Sequence, residues 1–460
     1  MSQNPTHTSQ AAIHKRPSGN RKVAVAPFHP SWVLIGFFAV LIGMGTLVLA
    51  LPISTSGGGR ASILDAFFTS VSAASGTGLS VQDTATFWSP FGQRAILGLV
   101  SIGGLGALVG STMFLIVIAR RINKEERHPF KELMRVDSLG GMILLAFGIT
   151  LFVLIVEAIG TYLLAWQLSK SMPWNEALWM GIFHSSSAFN NAGFEIMGMS
   201  QRLPDTSIQI ILAVLSLLGA LGFLVFIDIV RGIFRRPLAL DTKVVLLTFV
   251  VLLIAGIGMI LITEWGNIRT LGDMSISQKL VSAFFHSATA RTTGMQTVDL
   301  SAFAQPTLLL LAALMFIGGA SGSTGGGIKV NTFAVLIATT WSFVRGKKDV
   351  TAFGTVVQEE QVHRALAIAF ISIIVVFAFT ISLSVTEGRG LLDQIFETVS
   401  AFSTTGFTTG ATATFSTAGK LIIILAMFIG RVGPLTLAFA ISQRHKPTRE
   451  TYTMEAINLG

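Results

Sequence analysis

The 460-residue chain carries a formal charge of +9, yet only 12% of it is Asp, Glu, Lys or Arg and 51% is hydrophobic. Soluble domains carry roughly 25% charged residues, so a soluble globular protein is excluded. The absence of cysteine removes disulfides, thiolate metal sites and cysteine nucleophiles together.

In chain order, residues 1–30 are polar, basic and rich in Pro, Ser and Asn, and read as a disordered cytoplasmic tail, too long for a signal-peptide n-region. Four repeats then follow. The first, 31–121, places the apolar runs Trp32–Leu51 and Ala95–Ala119 around a short polar element. The second, 138–236, does the same with Met142–Trp166 and Ile208–Ile233. The third, 242–345, uses Val244–Ile262 and a glycine-interrupted Thr307–Trp341. The fourth, 363–443, uses Ala365–Val385 and Leu421–Ile441. Residues 444–460 read as a cytoplasmic C-terminal tail. The expected fold is an all-α polytopic membrane protein of four tandem helix–pore-loop–helix repeats around a pseudo-fourfold pore, with eight full spans and four re-entrant half-spans.

The polar elements carry the repeat. Phe68–Gly78, Phe183–Gly193, Phe284–Gly294 and Phe396–Gly406 align without gaps, each with an aromatic ten residues before a glycine. Small hydroxyl and amide residues fill the interval, and Leu79, Phe194, Met295 or Phe407 follows. The glycines lie 115, 101 and 112 residues apart.

Charge placement orients the chain. Tails and inter-repeat connections hold 21 of the basic residues against 9 on the hairpin face, where Arg291 is counted, with Lys329 and Arg431 inside spans. By the positive-inside rule the connections and both termini are cytoplasmic, and the hairpins enter from outside.

A polar, glycine-ended hairpin at membrane depth is tolerated only where it is buried in protein or lines a watery path. Four around one axis would aim their helix C-termini at a cation and line its route with backbone carbonyls. The candidate selectivity filter is therefore Ser75, Gly76, Thr77 and Gly78; Asn190, Asn191, Ala192 and Gly193; Arg291, Thr292, Thr293 and Gly294; and Ser403, Thr404, Thr405 and Gly406. No ring of four carboxylates accompanies it. Selection by backbone oxygens favours a weakly hydrated monovalent cation, potassium first, bound at the filter carbonyls.

Within the third repeat, no helix is expected to persist through 318–327, where glycines crowd an apolar stretch. Gly318, Gly319, Ser321, Gly322, Ser323, Thr324, Gly325, Gly326 and Gly327 make the candidate gate loop, with a simple hinge or tight helix crossing as the alternative. Arg431, in the last span, is either a barrier to cations below the filter or an anchor for this loop. It could also pair with an acid such as Asp228, or snorkel. Lys329 is either a loop anchor or an interfacial residue.

Gly319–Gly322 also matches the Gly-x-Ser-Gly of intramembrane serine proteases, with His184 or His286 as a base. Those histidines fall in the outer half-helices, away from Ser321. Gly322–Lys329 lacks the Gly-Lys-Ser/Thr ending of a phosphate loop. A coupled secondary symporter with glycine-broken helices is the competing transport reading, although such folds are built from inverted halves.

Phe183–Phe194, Thr289–Gly294, Gly318–Lys329 and Gly430–Pro434 resemble the Trk/Ktr/HKT superfamily of potassium transporters over residues 30–445. The chain looks most like the membrane subunits of bacterial Ktr systems, with the longer Trk-type subunits the nearest relatives. The resemblance implies potassium uptake across the cytoplasmic (inner) membrane, not enzymatic activity. It implies homodimers in which each protomer has its own pore, gated by a cytosolic ring of RCK subunits through which ATP or ADP acts. It also implies possible stimulation by sodium. No covalent cofactor and no nucleic-acid partner are expected, and membrane lipids surround the chain. Glycine at all four filter positions fits the potassium-selective members.

Overall fold

The computed structural model describes residues 30–121, 139–198, 205–233 and 237–433. The expected N-terminal tail up to residue 29, parts of the first two connections and the 444–460 tail lie outside the described residues. In chain order come α1 (Pro30–Leu49), α2 (Ile63–Ser75) and α3 (Pro90–Arg121). Next are α4 (Leu139–Leu168), α5 (Trp174–Phe189), α6 (Thr206–Leu221) and α7 (Phe223–Ile233). The third set is α8 (Leu240–Glu264), α9 (Ile276–Thr289), α10 (Gln305–Phe316) and α11 (Val330–Val344). A small hairpin, β1 (Thr351–Ala352) and β2 (Thr355–Val356), leads into α12 (Glu359–Glu387), α13 (Leu391–Phe402) and α14 (Thr417–Val432).

The first helix of each set is long and apolar enough to cross a bilayer alone: Trp32–Leu49, Leu144–Leu168, Leu240–Glu264 and Glu359–Glu387. Leu47, Leu144, Ile262 and Val385 on these helices are each more than 70% exposed. Apolar side chains so presented belong against lipid rather than water.

Helices α2, α5, α9 and α13 have 13, 16, 14 and 12 residues and cannot cross. Their C-terminal halves are buried almost residue by residue, and a recurring contact explains how. Ser70 Oγ donates to the Ile42 carbonyl at 2.8 Å, Ser185 Oγ to that of Glu157 at 2.8 Å, and Ser287 Oγ to that of Leu253 at 2.9 Å. Beneath these serines lie Gly45, Gly160 and Gly256, where a Cβ would overlap both the serine oxygen and Leu99, Leu215 or Leu314 of the second helix. The first three short helices are thereby wedged between the first and second helices of their sets by a small residue, a hydroxyl and a leucine. Thr398 stands at the corresponding place in the fourth set, buried, but its hydroxyl makes no such bond.

Two of the second helices, those of the second and third sets, depart from eight uninterrupted spans. The expected run Ile208–Ile233 is broken: α6 and α7 meet at 95°. The break is at Gly222, in the left-handed region at φ +82°, which packs so closely on the third set that a Cβ would lie 2.9 Å from the Gly322 carbonyl. Asp205 caps the start of α6, and the Ser207 amide it accepts holds its carboxyl below the usual carboxylate range. In the third set α10 stops at Phe316 and α11 starts at Val330, with a non-helical passage between. Gly318 N–H donates to the Ile328 carbonyl at 2.9 Å, closing the neck of that loop.

The largest apolar cluster runs from α1–α3 to Phe415, Ile423 and Met427, packing the fourth set against the first. Lys420 and Asp65, both largely buried, pair across the same seam at 3.3 Å. Lys420→Met should leave the Asp65 carboxylate under-paired and lower the stability of the purified protein by about 1 kcal/mol. An unchanged thermal unfolding midpoint would remove this pair from the closure of the ring.

Candidate functional site

The short helices end on the four glycine segments. In the first, Gly76 caps α2 in the left-handed region at φ +64°, and Thr77 N–H donates to the Ser72 carbonyl at 2.8 Å. The second and fourth do the same with non-glycine residues. Asn191 sits at φ +54° and Thr404 at φ +50°, while Ala192 and Thr405 bond back to Ser187 and Ser400 at 2.8 and 2.9 Å.

The third segment is built differently. No residue two before Gly294 turns left-handed, and Gly294 N–H itself donates to Thr289 at 2.9 Å. Its path from helix to glycine is one residue shorter, so the gap-free alignment fails upstream of this glycine. With the gap included, Thr69, His184, His286 and Glu397 share one position on α2, α5, α9 and α13.

Three of those four side chains brace the strand that returns after the glycine. His184 lies 2.8 Å through Nδ1 from the Met180 carbonyl, and its Nε2 accepts the Ile196 N–H at 3.1 Å. His286 pairs with the Ser282 carbonyl at 2.8 Å and accepts the Thr297 N–H at 3.4 Å. A carbonyl on one nitrogen and an N–H on the other match the Nδ1–H tautomer. Glu397 Oε1 accepts from Thr409 N–H at 2.8 Å and Thr408 Oγ1 at 2.7 Å. Both histidines are thus committed to backbone, and Ser321 has no base among them.

The four glycines meet in a ring. A Cβ on Gly78 would lie 2.5 Å from the Ala192 carbonyl oxygen. One on Gly193 would overlap the Thr293 carbonyl, one on Gly294 that of Thr405, and one on Gly406 that of Thr77. Each glycine therefore packs on the backbone just before the next repeat's glycine, and the fourth returns to the first. All four have positive φ, from +64° to +99°. On one side of the ring lies a cavity of about 220 Å³ lined by all four glycines, with carboxylates from Asp83 and Glu195 and no basic residue in its wall.

On the other side sits the glycine-rich loop. A Cβ on Gly325 would touch Thr292, one on Gly326 would overlap Thr404, and one on Gly327 would lie 3.0 Å from Ser403. Ser323 and Thr324 are buried, and Ser321 N–H donates to Asn331 Oδ1 at 2.9 Å. The Gly319 carbonyl and the Ala320 N–H tie the loop to α11 and α6: Val330 N–H donates to the Gly319 carbonyl at 3.1 Å, and Ala320 N–H to the Ala220 carbonyl at 2.8 Å.

Three cations hold this loop through its carbonyls. Arg431 donates to the Thr324 carbonyl and, at 3.2 Å, to that of Gly103. Lys329 Nζ donates to the Gly325 carbonyl, which makes it a loop anchor rather than an interfacial residue. Asp228 is not the partner of Arg431; it accepts instead from Ala239 N–H at 2.8 Å. Arg291 is not on the hairpin face where its charge was counted, because its side chain is fully buried. Its guanidinium lies 3.6 Å over the Phe249 ring and donates to the Gly318 carbonyl at 3.4 Å, behind the ring and at the loop's neck.

Among the described residues, no group of three or more His, Asp or Glu side chains could hold a metal ion. Oxygen at the ring comes from the backbone carbonyls of Thr77, Ala192, Thr293 and Thr405. Such a donor set suits a transported ion better than a resident metal.

A family model described as TrkH, cation transport protein, matches residues 14–448. The Ktr system potassium uptake protein B of Vibrio alginolyticus is 37% identical, covering 99% of this chain and all of its own length. That of Bacillus subtilis is 36% identical over 93% of this chain and 97% of its own. The potassium/sodium uptake protein NtpJ of Enterococcus hirae is 35% identical over 93% and 96%. The crystal structure of the potassium transporter TrkH from Vibrio parahaemolyticus shares the fold, with a TM-score of 0.73 at 20% identity over 92% of this chain and 86% of that one. These relatives are transport proteins, not enzymes, and a multi-pass membrane protein with this ring and these sequence matches is a member of the TrkH cation transport protein family.

Proposed function

We propose that the protein takes up potassium through its ring of four glycine segments. Residues 75–78, 190–193, 291–294 and 403–406 act as a selectivity filter, and the 318–327 loop acts as the gate beneath it. The closed ring of glycine-on-carbonyl contacts, with an acidic cavity above and a plugging loop below, is the observation that carries this reading. A naked monovalent ion passing the ring would exchange its water for backbone carbonyls. Asp83 and Glu195 would concentrate cations at the mouth. Arg431 and Lys329, both cationic and both on loop carbonyls, oppose a cation's exit until the loop moves. Arg291 belongs to the third filter segment by its backbone, while its side chain acts at the gate's neck.

The orientation is outer cavity and cytoplasmic gate, in a bacterial cytoplasmic membrane with both termini inside. Ktr-type relatives suggest a homodimer gated by a cytosolic RCK ring that senses ATP or ADP, and the potassium/sodium naming of one relative suggests that sodium stimulates transport. Expression in a potassium-uptake-deficient bacterium tests the proposal. Growth on low potassium is expected with an RCK subunit present, and weaker growth without it. Failure to grow despite confirmed membrane insertion would exclude potassium uptake.

A further inference from the structure

The residues two places before the filter glycines, Gly76, Asn191, Thr292 and Thr404, face the gate loop rather than the cavity. Gly76 lies beside the Arg431 guanidinium, Thr292 against Gly325 and Thr404 against Gly326. Asn191 differs from the others because it bonds the loop through its side chain.

The Asn191 amide lies between two groups of partners. On one side are Thr292 Oγ1 at 2.7 Å, Ser216 Oγ at 3.1 Å and Thr293 Oγ1. On the other is the gate-loop hydroxyl of Thr324 at 2.6 Å. Turning the amide nitrogen towards the first group and Oδ1 towards Thr324 satisfies both ends, and Ala220 N–H then also reaches Oδ1 at 3.3 Å. All of these atoms are buried. Asn191 is moreover one of the few non-glycine residues held at positive φ, a conformation that surrounding contacts must fix.

We infer that Asn191 and Thr324 form a latch joining the second and third filter loops to the closed gate. The inference rests on the filter-and-gate reading above. A displacement of the Thr292–Thr293 strand would reach Thr324 through one amide, and a gate leaving its seat must break the 2.6 Å bond. The Asn191 and Thr324 side chains are therefore positioning groups, acting on the gate through geometry rather than by contacting the ion.

Potassium and sodium flux into liposomes, measured for the wild type, Thr324→Val, Thr324→Ser and Asn191→Gly, tests the latch. Thr324→Val keeps the shape but removes the hydroxyl, so it should raise potassium flux roughly five- to tenfold at an unchanged potassium-over-sodium ratio. Thr324→Ser should restore wild-type flux. Asn191→Gly tolerates the left-handed backbone but frees Thr292 and Thr293 as well, so it should raise flux and lower the ratio. The chain has no cysteine, so Ser321→Cys alone reports the loop, and its maleimide labelling should be faster with Thr324→Val. Wild-type flux and wild-type labelling in Thr324→Val would overturn the latch while leaving the filter standing. A wild type that carries no potassium would overturn both.

Discussion

Gly78→Ser is expected to reduce the potassium-over-sodium permeability ratio at least about tenfold. Two independent costs meet at this residue. Its backbone is at φ +88°, where a side chain costs of order 1–3 kcal/mol. Its Cβ would also lie 2.5 Å from the Ala192 carbonyl oxygen, an oxygen that belongs to the ring. The added atom must push that carbonyl or its own strand aside. The changed spacing acts directly on the oxygens that replace the ion's water, and about 1.4 kcal/mol of lost discrimination is a tenfold change. Gly58→Ala is the matched control. Gly58 has φ +68° and nothing within 4 Å of a Cβ, so it pays strain without touching the ring. Liposome flux under a cation series measures both variants. Equal ratios for Gly78→Ser and the wild type would take Gly78 out of the filter.

The elements that were legible in the sequence share a physical reason. The four first helices could be read because lipid demands an uninterrupted apolar run, and their composition records it. The glycine segments could be read because polar residues at membrane depth are permitted only where protein or a pathway covers them. The loop at 318–327 could be read from its density of glycine. What stayed hidden depends on backbone geometry rather than on composition. Gly222 looks like any glycine in an apolar span, and its 95° break follows from packing on Gly322, which belongs to a different repeat. The missing residue of the third segment is invisible to a pattern anchored on Gly294, because the left-handed residue it lacks is glycine, asparagine or threonine elsewhere. The brace at His184, His286 and Glu397 emerges only once that gap is placed, and it mixes imidazole with carboxylate. Arg291 illustrates the same limit: its position in the chain suggests the outer face, but the turn of the segment carries its side chain behind the ring to the neck of the gate.

Arg431 is the second site where a large effect is expected. Its guanidinium is buried, holds the Thr324 carbonyl, and reaches across to Gly103 on α3. It therefore combines a positive charge beneath the filter with a mechanical tie between loop and wall. Arg431→Gln removes the charge and most of the grip. Potassium flux through the purified protein should rise at least about tenfold, since even a screened charge a few ångströms from the path opposes a cation by several kcal/mol. Arg431→Lys separates the two contributions, because it keeps a point charge but not the planar fork that reaches two carbonyls at once. Lys329 leaves a second cation on the adjacent Gly325 carbonyl in both variants, so neither should abolish closure. An intermediate flux for Arg431→Lys is expected, because charge and grip both contribute. Flux in Arg431→Lys equal to the glutamine variant would assign the effect to the tie alone, and flux equal to the wild type would assign it to charge. Unchanged flux in Arg431→Gln would mean that the loop closes the pore without this arginine, and the gate would then have to be sought in Arg291 and Lys329.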